Sequence, residues 1–246
     1  MSKSSGLGNR LYVAGYDISG DVGAISSLTT PRGVQDNTGI DKSAVERLLL
    51  LSDGEISFDS FFNDATDQIH DVLSTLPTTN RQAIYAQSTT RGDAGFALVA
   101  KQINYDWTRA AEGSLTGTTQ LQNADGNVPA WGEIIATKET IASAGDLTGY
   151  IDAGDAATTN GVVAYLQIFT LGSGTPTITL QDSSDTTTGD DGAWSTIGTF
   201  TINSARSAER LSVAGTIEKG LRIEASGTFT NLVVAALIRR GTANDI

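Results

Sequence analysis

The chain contains no cysteine, so neither a disulfide framework nor thiolate chemistry is available to it. It has a single histidine, His70. Zinc sites of ordinary type draw on several His or Cys ligands, and this composition all but excludes them. No segment approaches the ~20 apolar residues that cross a bilayer. The longest apolar run, LVVAALI at 232–238, has the length of a strand. The opening MSKSSGLGNR lacks the apolar stretch of a secretory signal, so a protein made in a cytoplasm, with no membrane role, is expected. Basic residues are not clustered, and the longest basic run is Arg239-Arg240. The net charge is −12, spread as −7 over residues 1–140 and −5 over 141–246. Such a chain should repel a phosphate backbone. There is no G-x-S-x-G elbow, and no dinucleotide or phosphate-binding glycine loop.

What the chain does have is glycine, threonine, serine and alanine in quantity, with 39% hydrophobic residues. This composition belongs to a folded, β-rich and loop-rich protein. Residues 1–9 are small and polar and read as a flexible arm. Leu11 and Val13 share a strand face, and Gly15 marks a turn. Residues 20–43, with Pro31, read as a long loop, and long loops are commonly functional. DKSAVERLLLLS (41–52) reads as a turn leading into an apolar strand edge, because four consecutive leucines do not fit a helical stripe.

SDGEISFDSFFND (52–64) reads as a two-faced strand, with Ile56, Phe58 and Phe62 on one side and Glu55, Ser57 and Asp59 on the other. Next comes the best helix pattern, 64–76. Ile69, Val72, Leu73 and Leu76 are spaced as one stripe, Asn63 or Asp64 stands where a cap belongs, and Pro77 stops it. Strands follow at 81–88, 95–104 and 113–122, the last two joined through YDWTRAAE. In the third, Ser114, Thr116, Thr118 and Gln120 form an uncharged polar face. NADGNVPAWG (123–132) reads as a domain boundary, dividing a 10–132 core from a 133–246 region. Beyond it the rhythm is that of a sandwich: GVVAYLQIFTL as a central strand, TPTITLQ with Ile178 and Leu180 inside, then four more strand patterns.

Candidates for chemistry are few. His70 lies inside the helix pattern with no evident Ser or Cys partner, and a structural role is expected. The acidic stretch QDSSDTTTGDDGAW (181–194) carries Asp182, Asp185 and Asp191 ahead of Trp194. Oxygen-rich loops hold calcium, but the spacing is not that of an EF-hand, and Asp, Gly and Thr are also what a hairpin turn demands. These four residues are the only surface-ligand candidates, for carbohydrate or calcium. Tyr105, Trp107 and Arg109 could stack on a sugar, although packing is the commoner use of such aromatics.

A resemblance is carried by LYVAGYDISGDVGAISSL, GIDKSAVERLLLLSDGEISFDSFFND, HDVLSTLPTTNR and LVAKQINYDWTRAAEGSL, in that order. Together these segments resemble the major tail protein, or tail tube protein, of long-tailed bacteriophages (siphophages), especially those of actinobacteria. The likeness runs over residues 10–122 and continues in AYLQIFTL, ITLQDSSD, ERLSVAGT and LRIEASGTFTNLVVAALIRR. It implies a mainly β fold: a tail-tube β-sandwich or barrel with one flanking α-helix, followed by a C-terminal β-sandwich. It further implies a structural virion protein rather than an enzyme, with no cofactor. Copies would close into hexameric rings stacked as a tail tube, assembled in the host cytoplasm. The partners would be other copies, a tape-measure protein, a tail terminator and distal tail or baseplate proteins, and DNA would pass through the lumen without specific binding. On this resemblance Glu55, Ser57, Asp59, Ser114, Thr116, Thr118 and Gln120 are candidates to line the lumen. Asp21, Pro31, Arg32 and Asp36, with the N-terminal arm, are candidates for ring stacking. The rival readings are a lectin-like β-sandwich and, further off, a glycoside hydrolase built on a carboxylate pair.

Overall fold

The structure, a computed structural model, describes residues 5–124, 126–146, 149–154, 156–187 and 193–241, with backbone alone at Ala130 and Asp146. The fold is mainly β, a sandwich, as expected. The first half runs β1 (Arg10–Val13), β2 (Tyr16–Asp17), β3 (Val22–Thr29), β4 (Arg32–Asp36), β5 (Arg47–Ser52) and β6 (Glu55–Phe61). Helix α1 (Ile69–Leu73) precedes β7 (Arg81–Ala86), β8 (Ala94–Gln102), β9 (Asp106–Arg109) and β10 (Leu115–Asn123). The second half runs β11 (Ala130–Ile141), β12 (Gly145–Asp146), β13 (Ile151–Asp152), β14 (Val162–Thr170), β15 (Ser173–Gly174) and β16 (Thr177–Ser183). It ends with β17 (Ser195–Thr199), β18 (Ser207–Val213), β19 (Gly220–Ser226), β20 (Phe229–Thr230) and β21 (Leu232–Arg240).

One twelve-stranded sheet runs through both halves in the order β18-β14-β21-β11-β8-β10-β6-β3, with β1, β2, β7 and β9 attached beside it. A second sheet of five strands, β12, β13, β16, β17 and β19, lies over the second half. Alternation explains the layers. In β6 the residues Ile56, Phe58 and Ser60 point inward while the intervening side chains do not. Strand β14 is buried on both faces because β18 and β21 flank it and core clusters cover both sides. One cluster fills the second-half sandwich around Leu166, Ile178, Leu180 and Ile223. Another fills the first half around Leu11, Phe58, Phe96 and Leu121. A third, with Tyr12, Ile84, Ala97, Tyr165 and Leu237, joins the halves.

Three expectations are corrected. The break expected at 132/133 falls inside β11, which pairs with β8 at one end and with β21 along the rest. The long loop expected over 20–43 is mostly strand: β3 pairs with β6, and β4 pairs with β5. The helix expected over 64–76 shrinks to five residues, Ile69–Leu73. Asp67 and Leu76 both adopt positive φ (65° and 45°), which ends helical geometry on either side. Of the stripe, Ile69, Val72 and Leu73 are buried, whereas Leu76 is exposed. Neither Asn63 nor Asp64 caps the helix: its N-cap is Gln68, without a side-chain hydrogen bond. No helix among the described residues is long and apolar enough to cross a membrane.

Candidate functional site

Strands β4 and β5 form a two-stranded sheet of their own, in register from Arg32↔Ser52 to Asp36↔Arg47. They extend the β3–β6 hairpin outward as a free-standing arm, and every residue from 31 to 51 is exposed. The root is tied by Asp53 N–H donating to the Pro31 carbonyl at 2.9 Å. The tip is ordered locally. Asp36 accepts from the Thr38 N–H (2.9 Å) and hydroxyl (2.6 Å), and Glu46 N–H donates to Thr38 Oγ1 at 2.8 Å. The Thr38 bonds hold the Asp36 carboxyl below its ordinary value. Lys42 and Glu46 pair at 3.3 Å.

This arm is apolar where water should be. Val34, Val45, Leu48, Leu49 and Leu50 are 47–59% exposed, Leu51 89%, and Ile40 fully. A lone two-stranded hairpin is marginal in water, and contiguous exposed apolar surface marks an interaction site. The signal was legible in the run LLLL at 48–51, which fits neither a helix stripe nor a half-buried strand. Pro31, Arg32 and Asp36 all lie on this arm and are exposed. Asp21 does not belong with them. It is buried, accepting from Asn63 Nδ2 at 2.8 Å and from Ile69 N–H at 3.1 Å, so its carboxylate ties the start of β3 to α1. Of the N-terminal arm, residues 1–4 lie outside the described residues, while the Asn9 side chain is bonded to the Tyr85 hydroxyl.

The polar face is assembled by register. Across β6 and β10, Thr118 lies opposite Asp59, Gln120 opposite Ser57 and Thr116 opposite Phe61. Thr118 Oγ1 donates to Asp59 Oδ1 at 2.8 Å, and Ser26 Oγ donates to Asp59 Oδ2 at 2.9 Å. Gln120 Nε2 donates to Glu55 Oε2 at 2.8 Å, and Gln122 Nε2 to Asp53 Oδ2 at 2.9 Å. Three carboxylates are thus held in place by uncharged donors. Among the described residues no Lys or Arg is within ion-pair distance of them. Six of the seven polar-face candidates share this surface. Ser114 falls before β10 and contacts Glu112 instead (3.4 Å). Gly117 sits opposite Trp107, where a Cβ would lie 2.8 Å from the indole, so this position of β10 has room for no side chain.

The other candidates are structural in their contacts. His70 Nδ1 lies 3.1 Å from the Tyr105 hydroxyl, within a cluster of rings formed by Phe62, Tyr105 and Trp107. Asp182 is buried in β16 and accepts the Glu218 N–H at 2.9 Å. Asp185 is occupied by the Thr187 hydroxyl (2.6 Å) and N–H (2.8 Å), which hold its carboxyl below the ordinary range. Trp194 lies under the Arg222 guanidinium at 4.5 Å. Asp191 lies outside the described residues. No group of three or more His, Cys, Asp or Glu among the described residues could hold a metal ion.

No family model matches the chain, and no curated protein matches it. Among solved structures it is similar to the Dit protein of phage SPP1, described as a paradigm of the hub adsorption apparatus in phages infecting Gram-positive hosts. That match has 12% identity and a TM-score of 0.33 over 94% of this chain and 99% of the other. It is also similar to chains of the phage p2 baseplate in its activated conformation, with Sr (9% identity, TM-score 0.35) and with Ca (10%, 0.36). Each covers 95% of this chain and 98% of the other. A likeness at these TM-scores is too slight to carry a function across.

Proposed function

We propose that this protein is a structural virion protein, a subunit that closes into rings and stacks into a phage tail tube. The observation that carries the reading is the arm of residues 31–51, exposed along its whole length while it bears seven large aliphatic side chains. Burying one such side chain is worth about 1.5–3 kcal/mol, so a second copy covering the arm gains several times that from these residues alone. Two further features agree. Strand β3 ends the path of the large sheet, and beside it a hollow of about 660 Å³ opens against the Gly6–Leu11 segment. An edge strand with space beside it can accept a strand from a neighbour. The β6–β10 face supplies an acidic, uncrowded surface suited to a bore through which a polyanion slides without adhering. On this reading the tube conducts DNA, and the tape-measure protein, terminator and baseplate proteins bind its interior and ends.

Electron microscopy of the purified protein tests this. Stacked rings are expected at high concentration. Replacing Leu49 and Leu51 together by Asp should leave the thermal melt of the monomer within ~3 °C of the parent while abolishing the particles, since both side chains are exposed in the free subunit. Single rings that never stack would point to a hub rather than a tube. A monomer at every concentration would end the proposal.

A further inference from the structure

The six basic residues beyond position 140 are scattered in sequence, yet three of them meet with Arg32 along one trough. A hollow of about 540 Å³ between Asn80, Gln82 and Arg210 shares Arg210 and Asn127 with one of about 300 Å³ that reaches Arg239. Arg239 and Asn160 also line the next, of about 560 Å³, with Trp131 and Arg240. Trp131 and Arg239 then border a last hollow of about 200 Å³ that ends on Arg32, at the root of the arm. Pairing explains the meeting. Arg239 of β21 stands opposite Val163 of β14, which stands opposite Ser212 of β18, two residues from Arg210.

The trough is built for a ligand of opposite charge. Among the described residues Arg32, Arg210 and Arg240 have no carboxylate within ion-pair distance. Of the two acids among the described residues that line it, Glu209 is occupied by the Thr201 and Ile202 N–H groups at 2.6 and 3.0 Å. The other, Glu133, has its carboxyl pushed up by desolvation, with Arg240 pulling the other way. Gln82 is only 5% exposed, and both atoms of its side-chain amide lack a partner, as do the buried Nε atoms of Arg210 and Arg240. A buried polar group without a partner destabilises the free protein, and a hydrogen-bonding ligand removes that cost.

We infer that this trough binds an extended acidic segment of a partner polypeptide. Arg32, Arg210 and Arg240 match carboxylates, and the side-chain amides of Gln82 and Asn160 match the donor–acceptor alternation of a peptide backbone. Trp131, the one aromatic among the described residues that line the trough, gives no row of platforms for stacked bases, and a chain of net charge −12 disfavours a phosphate polymer. The acid is assigned to a different protein rather than to a second copy: the free-standing arm carries as many bases (Arg32, Lys42, Arg47) as acids (Asp36, Asp41, Glu46), and in the acidic stretch 181–191 Asp182 is taken by the Glu218 N–H and Asp185 by Thr187.

Fluorescence anisotropy with the full-length protein tests this, using a labelled peptide of about ten residues in which Glu alternates with Ala. At low salt this probe should bind at least ~10-fold more tightly than its Gln-for-Glu counterpart and than a thymidine oligonucleotide of equal length. The double variant Arg210→Gln, Arg239→Gln should lose at least ~10-fold. Ser212→Glu, an exposed change on the trough floor that folding tolerates, should lose a similar amount, while Arg109→Gln on β9 changes nothing. Equal binding of the neutral peptide, tighter binding of the oligonucleotide, or indifference to Ser212→Glu would each overturn the inference. So would loss of self-assembly in the Arg210→Gln, Arg239→Gln variant, which would make the trough a contact between copies. Because peptide binding is read without particles, a failure here is separable from a failure of the tube reading.

Discussion

Single residues decide how firmly the acidic face and the seam behind it are held. Phe58 is fully buried beneath the β6 polar face, and Phe58→Ala should cost about 3–5 kcal/mol in urea unfolding, from lost burial plus the cavity left behind. Asp17 is the clearest titrating group at the seam. Burial works to raise its pKa, but the Lys138 ammonium 2.8 Å away and the Ser19 hydroxyl and N–H outweigh burial, and the net shift is downward. A carboxyl lowered in the fold contributes stability above its unfolded pKa of ~3.9, and that contribution fades as pH falls through the folded value. Asp17→Asn should therefore melt below the parent at pH 7, and the gap between the two should close below about pH 4. A gap of equal size at every pH would mean that the carboxylate's charge contributes nothing. His70 illustrates what sequence reasoning could place but not explain. Its position near the helix was legible, whereas its packing against Phe62 and Tyr105 depends on strands that sequence spacing does not bring together.

Elements were read more surely than their junctions. The two-period alternation of β6 and of the start of β16 marked their buried faces directly, and the unbroken apolar run of β14 marked a strand covered on both sides, because strand geometry converts a pattern into faces with no further information. The apolar spacing over 64–76 is compatible with more helical turns than the backbone permits, and only tertiary contacts such as Asp21 to Ile69 N–H fix where the helix begins. Strand β11 hid a boundary that is not one. Its turn-rich approach (123–129) looks like a linker, but the strand is pinned by Arg91, which donates to the Ile135 carbonyl at 2.7 Å and pairs with Glu139 at 2.8 Å across the bulges. With side chains only 20% and 14% exposed, this pair should matter: Glu139→Leu should lower stability by about 1–3 kcal/mol, measurable in urea, by removing a shielded charged hydrogen bond. The arm makes the opposite prediction. Shortening it by residues 34–49 should leave the monomer's unfolding free energy nearly unchanged, because none of those side chains is buried in the free subunit.

At the scale of the whole molecule, net charge and apolar exposure pull in opposite directions. Each copy carries −12, so copies repel at long range, while the arm's aliphatic side chains attract at contact. Raising ionic strength from about 0.01 to 0.15 M shortens the screening length from about 30 to 8 Å, so assembly should speed up with salt in light-scattering traces. Slower assembly with salt would mean that ion pairs rather than leucines join the copies. The sequence by itself determined the class of fold, the faces of the alternating strands, the charge and the lack of any thiol, since these follow from composition and from periodicity along one strand. Only the tertiary structure decided that Asp53, Glu55 and Asp59 share a face with Thr118, Gln120 and Gln122, that the leucine strand stands free of the core, and that distant arginines line one trough. The reason is physical. Which side chains meet across a sheet is set by strand order and register, and these are fixed by long-range pairing that no local run of residues encodes.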